Sequence, residues 1–177
     1  MRPLPDVNSG AGIAFYVILG IFVVLEQRVR LRSWRVRHGT REDRGTLIVV
    51  VASVVVGVAG GFALAADVHE TAVPDGRWPM FVVGLVLMCS GIAIRQWSVA
   101  LLGPFFTIDV RVHPDQTVVE RGPYRWVRHP SYTGLIMTFV GIGLALGNWA
   151  ALALLAVVPT AGLVVRIRAE ERALLDG

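Results

Sequence analysis

Two short strings in this chain hold side chains that can do chemistry together. One is Tyr124-Arg125-Trp126-Val127-Arg128-His129-Pro130-Ser131-Tyr132-Thr133-Gly134, and the other is Arg166-Ile167-Arg168-Ala169-Glu170-Glu171. Pro130 suits the first position of a helix, where its missing N–H costs nothing, so a helix is expected to begin there. The free N–H groups of that first turn favour a carboxylate or a phosphate. His129 stands at this mouth with Tyr124, Arg125, Arg128 and Tyr132 around it. A lone histidine at a helix start ordinarily caps it; the surrounding arginines and tyrosines point instead to a site that handles an anion. Arg166 and Glu170 are four residues apart, hence on one helix face, and taken alone they read as a surface ion pair worth a few tenths of a kcal/mol.

The elements that must carry these groups are apolar. Of 177 residues, 54% are hydrophobic and 17% charged, which excludes a disordered tail, a collagen-like fibre and an ordinary soluble domain. Apolar runs cover 11–25, 47–66, 78–94 and 132–165, against the roughly 20 residues that a bilayer crossing needs. The last run is too long for one crossing and is split by the turn dipeptide Gly147-Asn148 into a helical hairpin. That hairpin returns Glu170 to the level of His129. The fold expected is therefore an all-α integral membrane protein of about five transmembrane helices, the last two a hairpin, with a folded cytoplasmic loop covering the site. Residues 1–104 would hold the first three helices and an arginine-rich loop, 26–46. Residues 105–177 would form the catalytic region, with loop 105–129, the hairpin at about 130–168 and a cytoplasmic C-terminal end. No small-residue cleavage site follows the first run, so it is expected to stay as an anchor.

Every one of the 17 basic residues is arginine, giving a net charge of +4. Their placement is uneven: Arg28 to Arg44, Arg95 to Arg128 and Arg166 to Arg172 fall on one side of the five crossings, and only Arg2 and Arg77 on the other. Positive residues near helix ends stay in the cytoplasm, which sets the N-terminus outside and the C-terminus and site inside. Arginines lying between apolar runs do not make the folded basic face that nucleic acid needs; Arg28 to Arg44 read first as a topogenic, solvated segment and only second as a binder of anionic membrane lipid head groups. Ser53, Gly57, Gly61 and Ala65 recur every fourth residue, a small-residue stripe for helix packing inside a monomer or in a helix-packed dimer. Gly141 and Gly143 read the same way. Cys89 lies in an apolar run and reads as a packing residue. Asp67, His69 and Glu70 are ordinary loop residues, and no metal site is expected. The connection from Gln96 to Arg128 is long enough to be functional. Within it, Thr107 to Val112 and Val118-Val119 suggest two short extended pieces joined by a turn at Pro114-Asp115.

The string from Gly122 to Gly134, followed beyond the Gly147-Asn148 turn by Arg166-Ile167-Arg168-Ala169-Glu170-Glu171 and Leu174, resembles the isoprenylcysteine carboxyl methyltransferase family of integral membrane enzymes. The resemblance covers roughly Phe105 onward. It implies methyl transfer from S-adenosyl-L-methionine to a carboxylate on a lipophilic, isoprenylcysteine-like substrate. By the family pattern the cofactor contacts fall on Gln116, Thr117, Val118, Val119, Tyr124, His129, Pro130, Ser131, Tyr132 and Glu170. Arg166 falls on the position that holds the substrate carboxylate and, with Glu170, takes the catalytic role. Two departures stand out: Asp109 occupies a place where members offer an amide, and Leu175-Asp176-Gly177 stands where the family continues with Phe-Gly and spaced tyrosines. Two other activities fit the same architecture. One is methylation of an amine on a phospholipid or small lipid, which would gain little from Arg166; the other is a membrane reductase using a nicotinamide cofactor.

Overall fold

The computed structural model describes residues 9–35, 40–41, 45–73, 77–103, 106, 111–112 and 120–176. Among them are five α-helices: α1 (Ser9–Arg35), α2 (Thr46–Asp67), α3 (Arg77–Leu102), α4 (Pro130–Leu146) and α5 (Trp149–Asp176). Short 3-10 turns occupy His69–Thr71 and Gly122–Arg125, and one antiparallel pair of two-residue strands joins β1 (Thr40–Arg41) to β2 (Arg111–Val112). Four of the helices are long and apolar enough to cross a membrane, over Gly10–Ser33, Thr46–Asp67, Arg77–Leu102 and Trp149–Arg172, while α4 is a shorter apolar helix of 17 residues. Large apolar side chains such as Ile13, Ile48, Val55, Val86 and Val157 are exposed around the bundle, the surface a lipid solvent accepts and water does not.

Hydropathy placed some helix ends short. The first run was expected to stop at Leu25, with 26–46 as loop, but α1 continues to Arg35 because Glu26, Gln27 and the arginines that follow are strong helix formers despite their polarity. The third run was expected to end at Ile94, yet α3 continues through Arg95 and Gln96 to Leu102. Arg95 is therefore no loop arginine; it lies buried at 6% exposure inside the bundle. Likewise α5 does not end near 168 but carries Glu170 and Glu171 on regular helix.

The helices pack α3 on α4, α4 on α5 and α5 on α2, with α1 against α3. The small-residue stripe of α2 faces α5 within the chain: Gly57 lies against Pro159, Gly61 against Leu155, and Ser53 against Gly162. Gly84 and Gly141 bring the backbones of α3 and α4 together, as do Gly91 and Gly134 nearer the His129 end. Cys89, by contrast, is exposed on α3 and does not pack. Aromatic side chains fill the centre, with Phe22 of α1 edge-on to Phe139 of α4 at 6.2 Å between centroids and Phe15 against Phe62 of α2.

The link between α4 and α5 explains why these two lie side by side. Gly147 ends α4 in the left-handed region at φ 64°, which glycine adopts at little cost. Asn148, at 2% exposure, then ties the turn to the far end of α2. Its Oδ1 accepts from Thr71 Oγ1 (2.9 Å) and Ala151 N (3.0 Å), and its Nδ2 donates to Val68 O (2.8 Å) and Leu64 O (3.4 Å). Asn148→Ala removes all four contacts and leaves the buried Ala151 N–H without this acceptor, and is expected to destabilise the fold by about 2–3 kcal/mol. Thermal denaturation in detergent measures this, and an unchanged midpoint would remove the turn from the list of determinants.

Candidate active site

The site is built at the end of the bundle where α4 starts and α5 finishes, and its centre is the Glu170 carboxylate. Tyr132, in the first turn of α4, donates its hydroxyl to Glu170 Oε1. Arg166, one helical turn before Glu170, donates from Nε to the same oxygen at 3.1 Å. His129 Nδ1 lies 3.7 Å from Glu170 Oε2, while its Nε2 is 3.3 Å from Glu171 Oε1. The imidazole also stacks on the Tyr132 ring, with centroids 5.8 Å apart and planes 23° from parallel. The two strings read from the sequence thus meet through their side chains.

Local structure explains each placement. Pro130 occupies the first helical position of α4, and the His129 carbonyl accepts from Tyr132 N and Thr133 N, both at 3.1 Å. The His129 side chain makes no capping bond. With capping done by the backbone, the imidazole is left to face the glutamates. Arg166 is no surface partner either: it is 2% exposed, and its Nη1 donates to Thr46 Oγ1 at 2.9 Å, so it braces Glu170 from the start of α2. A pair shielded in this way interacts far more strongly than one in water.

Beside this centre the 3-10 turn Gly122–Arg125 sets Tyr124 against the last turn of α3, its hydroxyl 3.5 Å from Ser98 O. Burial pushes the Tyr124 phenol up to about 12, with the Arg95 charge lowering it and the Glu170 charge raising it. It therefore stays protonated, a neutral donor, across the physiological range. A partly open cavity of about 430 Å³ adjoins Tyr124, lined also by Glu120 and Arg125. That volume is of the size that takes a small-molecule cofactor.

The remaining expected contacts divide. Pro130 and Ser131 are both buried under the mouth of α4. Ser131 turns its hydroxyl to Arg95, whose Nη1 donates to Ser131 Oγ at 2.6 Å. Gln116, Thr117, Val118 and Val119 lie outside the described residues, as do Asp109 and the Pro114-Asp115 turn. Of the two extended pieces expected in that connection, Arg111–Val112 is a strand, and its partner is Thr40–Arg41 from the connection between α1 and α2. Three contributors were not singled out from the sequence: Glu26, Arg95 and Thr46. The first two stood just past the ends of apolar runs, and only the continuation of α1 and α3 brings them inside apolar helices, where a charged residue marks a functional site by default.

A protein-family model described as the isoprenylcysteine carboxyl methyltransferase (ICMT) family matches residues 82–176, more than half of the chain, including Tyr124, His129, Tyr132, Arg166 and Glu170. The chain belongs to this methyltransferase family. Among its relatives, the uncharacterized protein YpbQ of Bacillus subtilis (strain 168) is 30% identical over 114 residues, covering 64% of this chain and 67% of that protein. A probable protein-S-isoprenylcysteine O-methyltransferase of Oryza sativa subsp. indica is 31% identical over 116 residues, covering 63% of this chain and 60% of its own length. Protein-S-isoprenylcysteine O-methyltransferase A of Arabidopsis thaliana is 31% identical over 74 residues, 41% of this chain and 38% of the plant protein. The chain thus spans about two thirds or less of the curated relatives it matches. The family match begins within α3, so α1 and α2, although they supply Glu26 and Thr46 to the site, lie outside it.

Proposed function

We propose that the protein transfers a methyl group from S-adenosyl-L-methionine to the carboxylate of a lipophilic, isoprenylcysteine-like substrate at the cytoplasmic face of a membrane. The observation that carries this reading is the convergence of Tyr132, Arg166 and His129 on one partly buried carboxylate, Glu170. A carboxylate among aromatic faces suits a ligand that bears a sulfonium and an ammonium. S-adenosyl-L-methionine supplies, when bound, a methyl group on a cationic sulfur that any well-placed nucleophile can accept. Tyr124, His129, Pro130, Tyr132 and Glu170 would hold it, with Ser131 beneath them and Gln116 to Val119 contributing from outside the described residues.

The acceptor needs no general base. A carboxylate of ordinary pKa, about 4, is already ionised at neutral pH. The work left to the protein is to orient the nucleophile and to exclude water. Arg166 has the chemistry to grip the acceptor carboxylate, and its guanidinium is preset by Thr46 and Glu170. With five crossings, α4 the shortest, the N-terminus would lie outside and the arginine-rich ends would gather on the cytoplasmic side, as the positive-inside bias favours. A lipid tail would reach the site sideways between helices.

The test is transfer of labelled methyl from S-adenosyl-L-methionine into a mixture of total lipid and prenylated peptide. A carboxyl methyl ester releases its label in base; a methylated amine keeps it. Base-labile incorporation is expected, and Arg166→Ala is expected to lower it at least about 100-fold, or about 2.7 kcal/mol. Because Arg166 also braces Glu170, donor binding is measured beside turnover. Base-stable label that survives Arg166→Ala would make the protein an amine methyltransferase, and binding of NADPH without S-adenosyl-L-methionine would make it a reductase.

A further inference from the structure

Away from Glu170, the described residues contain a second charged cluster inside apolar helices. Arg95 of α3 donates from Nε and Nη2 to the two carboxylate oxygens of Glu26 on α1, at 2.5 and 2.7 Å. This side-on, two-point pairing fixes the plane of the guanidinium. It directs the remaining Nη1 towards α4, where it meets Ser131 Oγ at 2.6 Å and Ser131 O at 3.5 Å. Phe106 covers the guanidinium, its ring centroid 5.9 Å from Cζ.

We propose that Glu26 and Arg95 are a positioning pair for the methyl-transfer site, with Glu26 clamping Arg95 and Arg95 holding Ser131 so that the first turn of α4 keeps its place. The proposal rests on the function proposed above. Arg95 is fixed at both ends. Its backbone is pressed against Gly134, where a Cβ would come within 2.9 Å of Arg95 N and 3.0 Å of Arg95 Cβ. Its tip is fixed by Glu26. What lies between is the turn that holds His129, Pro130 and Tyr132, so any shift of the guanidinium is passed to the residues around Glu170.

A tie between α1 and its neighbours does not require charge, as the Phe22–Phe139 contact demonstrates. Taking an arginine and a glutamate out of water is costly, and well-packed apolar residues in their place are often no less stable. The charge is explained if what matters is the direction of the third donor, since a misplacement of about 1 Å at a reacting centre can lower a rate about 100-fold. On this reading α1, outside the family match, belongs to the frame of the site.

The test uses the full chain in detergent, with Glu26→Gln, Arg95→Lys and Ser131→Ala, the double variant of the last two, and a reversed pair of Glu26→Arg with Arg95→Glu. Affinity for labelled S-adenosyl-L-methionine, kcat, donor KM and thermal midpoint are measured on each. The single variants are expected to stay folded and to lose about tenfold or more in kcat/KM. Arg95→Lys and Ser131→Ala together should cost no more than the larger single loss, because both break one contact. The reversed pair should recover the thermal midpoint but not transfer, since a shorter glutamate at 95 can only accept from the Ser131 hydroxyl and offers no donor to the Ser131 carbonyl. Unchanged transfer in the single variants, additive losses in the double variant, or recovery of transfer with stability in the reversed pair would each reduce the cluster to a structural tie. A parent protein that binds no S-adenosyl-L-methionine would refute the function itself, and this proposal with it.

Discussion

Glu170→Gln is expected to lower kcat/KM for methyl transfer about 100-fold or more, equivalent to about 2.7 kcal/mol, whereas Glu171→Gln changes it less than about threefold. The two glutamates are adjacent and chemically identical, so sequence alone ranks them only through a family pattern. Their surroundings differ. The Glu170 side chain is 21% exposed and is met by Tyr132, Arg166 and His129, while that of Glu171 is 46% exposed and faces only His129 in the contacts described. Glutamine keeps the shape and one acceptor oxygen but removes the charge. At position 170 that loss takes a charge away from the buried Arg166 guanidinium, a change larger than the fraction of a kcal/mol typical of an exposed pair. Because the buried Arg166 then loses the Glu170 charge 3.1 Å away, part of the effect falls on stability, and the thermal midpoint separates the two. Loss of transfer at unchanged donor affinity would assign Glu170 to the acceptor side; loss of both places it with the donor. Equal effects at 170 and 171 would show that exposure and partner number do not rank these groups.

What the sequence made legible was whatever depends on a single residue or on fixed spacing. Pro130 announced the start of α4, Gly147-Asn148 the turn after it, and the four-residue interval from Arg166 to Glu170 their shared face. The stripe from Ser53 to Ala65 announced a close helix contact without naming its partner, which the structure identifies as α5. What stayed hidden depends on pairing across the bundle. Glu26 and Arg95 each look like the polar end of an apolar run, because hydropathy scores a residue alone and cannot register that two opposite charges neutralise each other within it. Only their pairing in the bundle reveals the contact of Arg95 to Ser131. The same limit applies to β1 and β2: Thr40–Arg41 lies in an arginine-rich stretch with no strand-like alternation, and only its partner Arg111–Val112 makes it a strand. Thr46 was hidden likewise, being an ordinary first residue of α2 until Arg166 reaches it.

A methyl group added at Gly134 or Gly91 is expected to unseat the site without touching any of its polar residues. A Cβ built on Gly134 would lie 2.5 Å from Gly91 O, and one on Gly91 would lie 2.5 Å from Gly134 O and 2.8 Å from Thr138 N. These are backbone atoms of the facing helix, so no rotamer change relieves the contact, and α3 and α4 must separate. Overpacking in a well-filled interior typically costs about 1–3 kcal/mol and more where the backbone has to move, so about 3 kcal/mol is expected for Gly134→Ala and more for Gly134→Val. Thr138 adds to the rigidity, because its hydroxyl already bonds Gly134 O at 2.8 Å. The separation begins beside Arg95, whose Nη1 contact with Ser131 has no slack at 2.6 Å. Donor affinity should therefore fall even in Gly134→Ala protein that remains folded. Gly20→Ala is the matched control: a Cβ there meets nothing within 4 Å, and alanine favours a helix interior over glycine. Thermal midpoint and labelled-donor binding, measured on all three variants, test the point together. A Gly134→Ala protein as stable as the Gly20→Ala control would mean that α3 and α4 do not cross this closely.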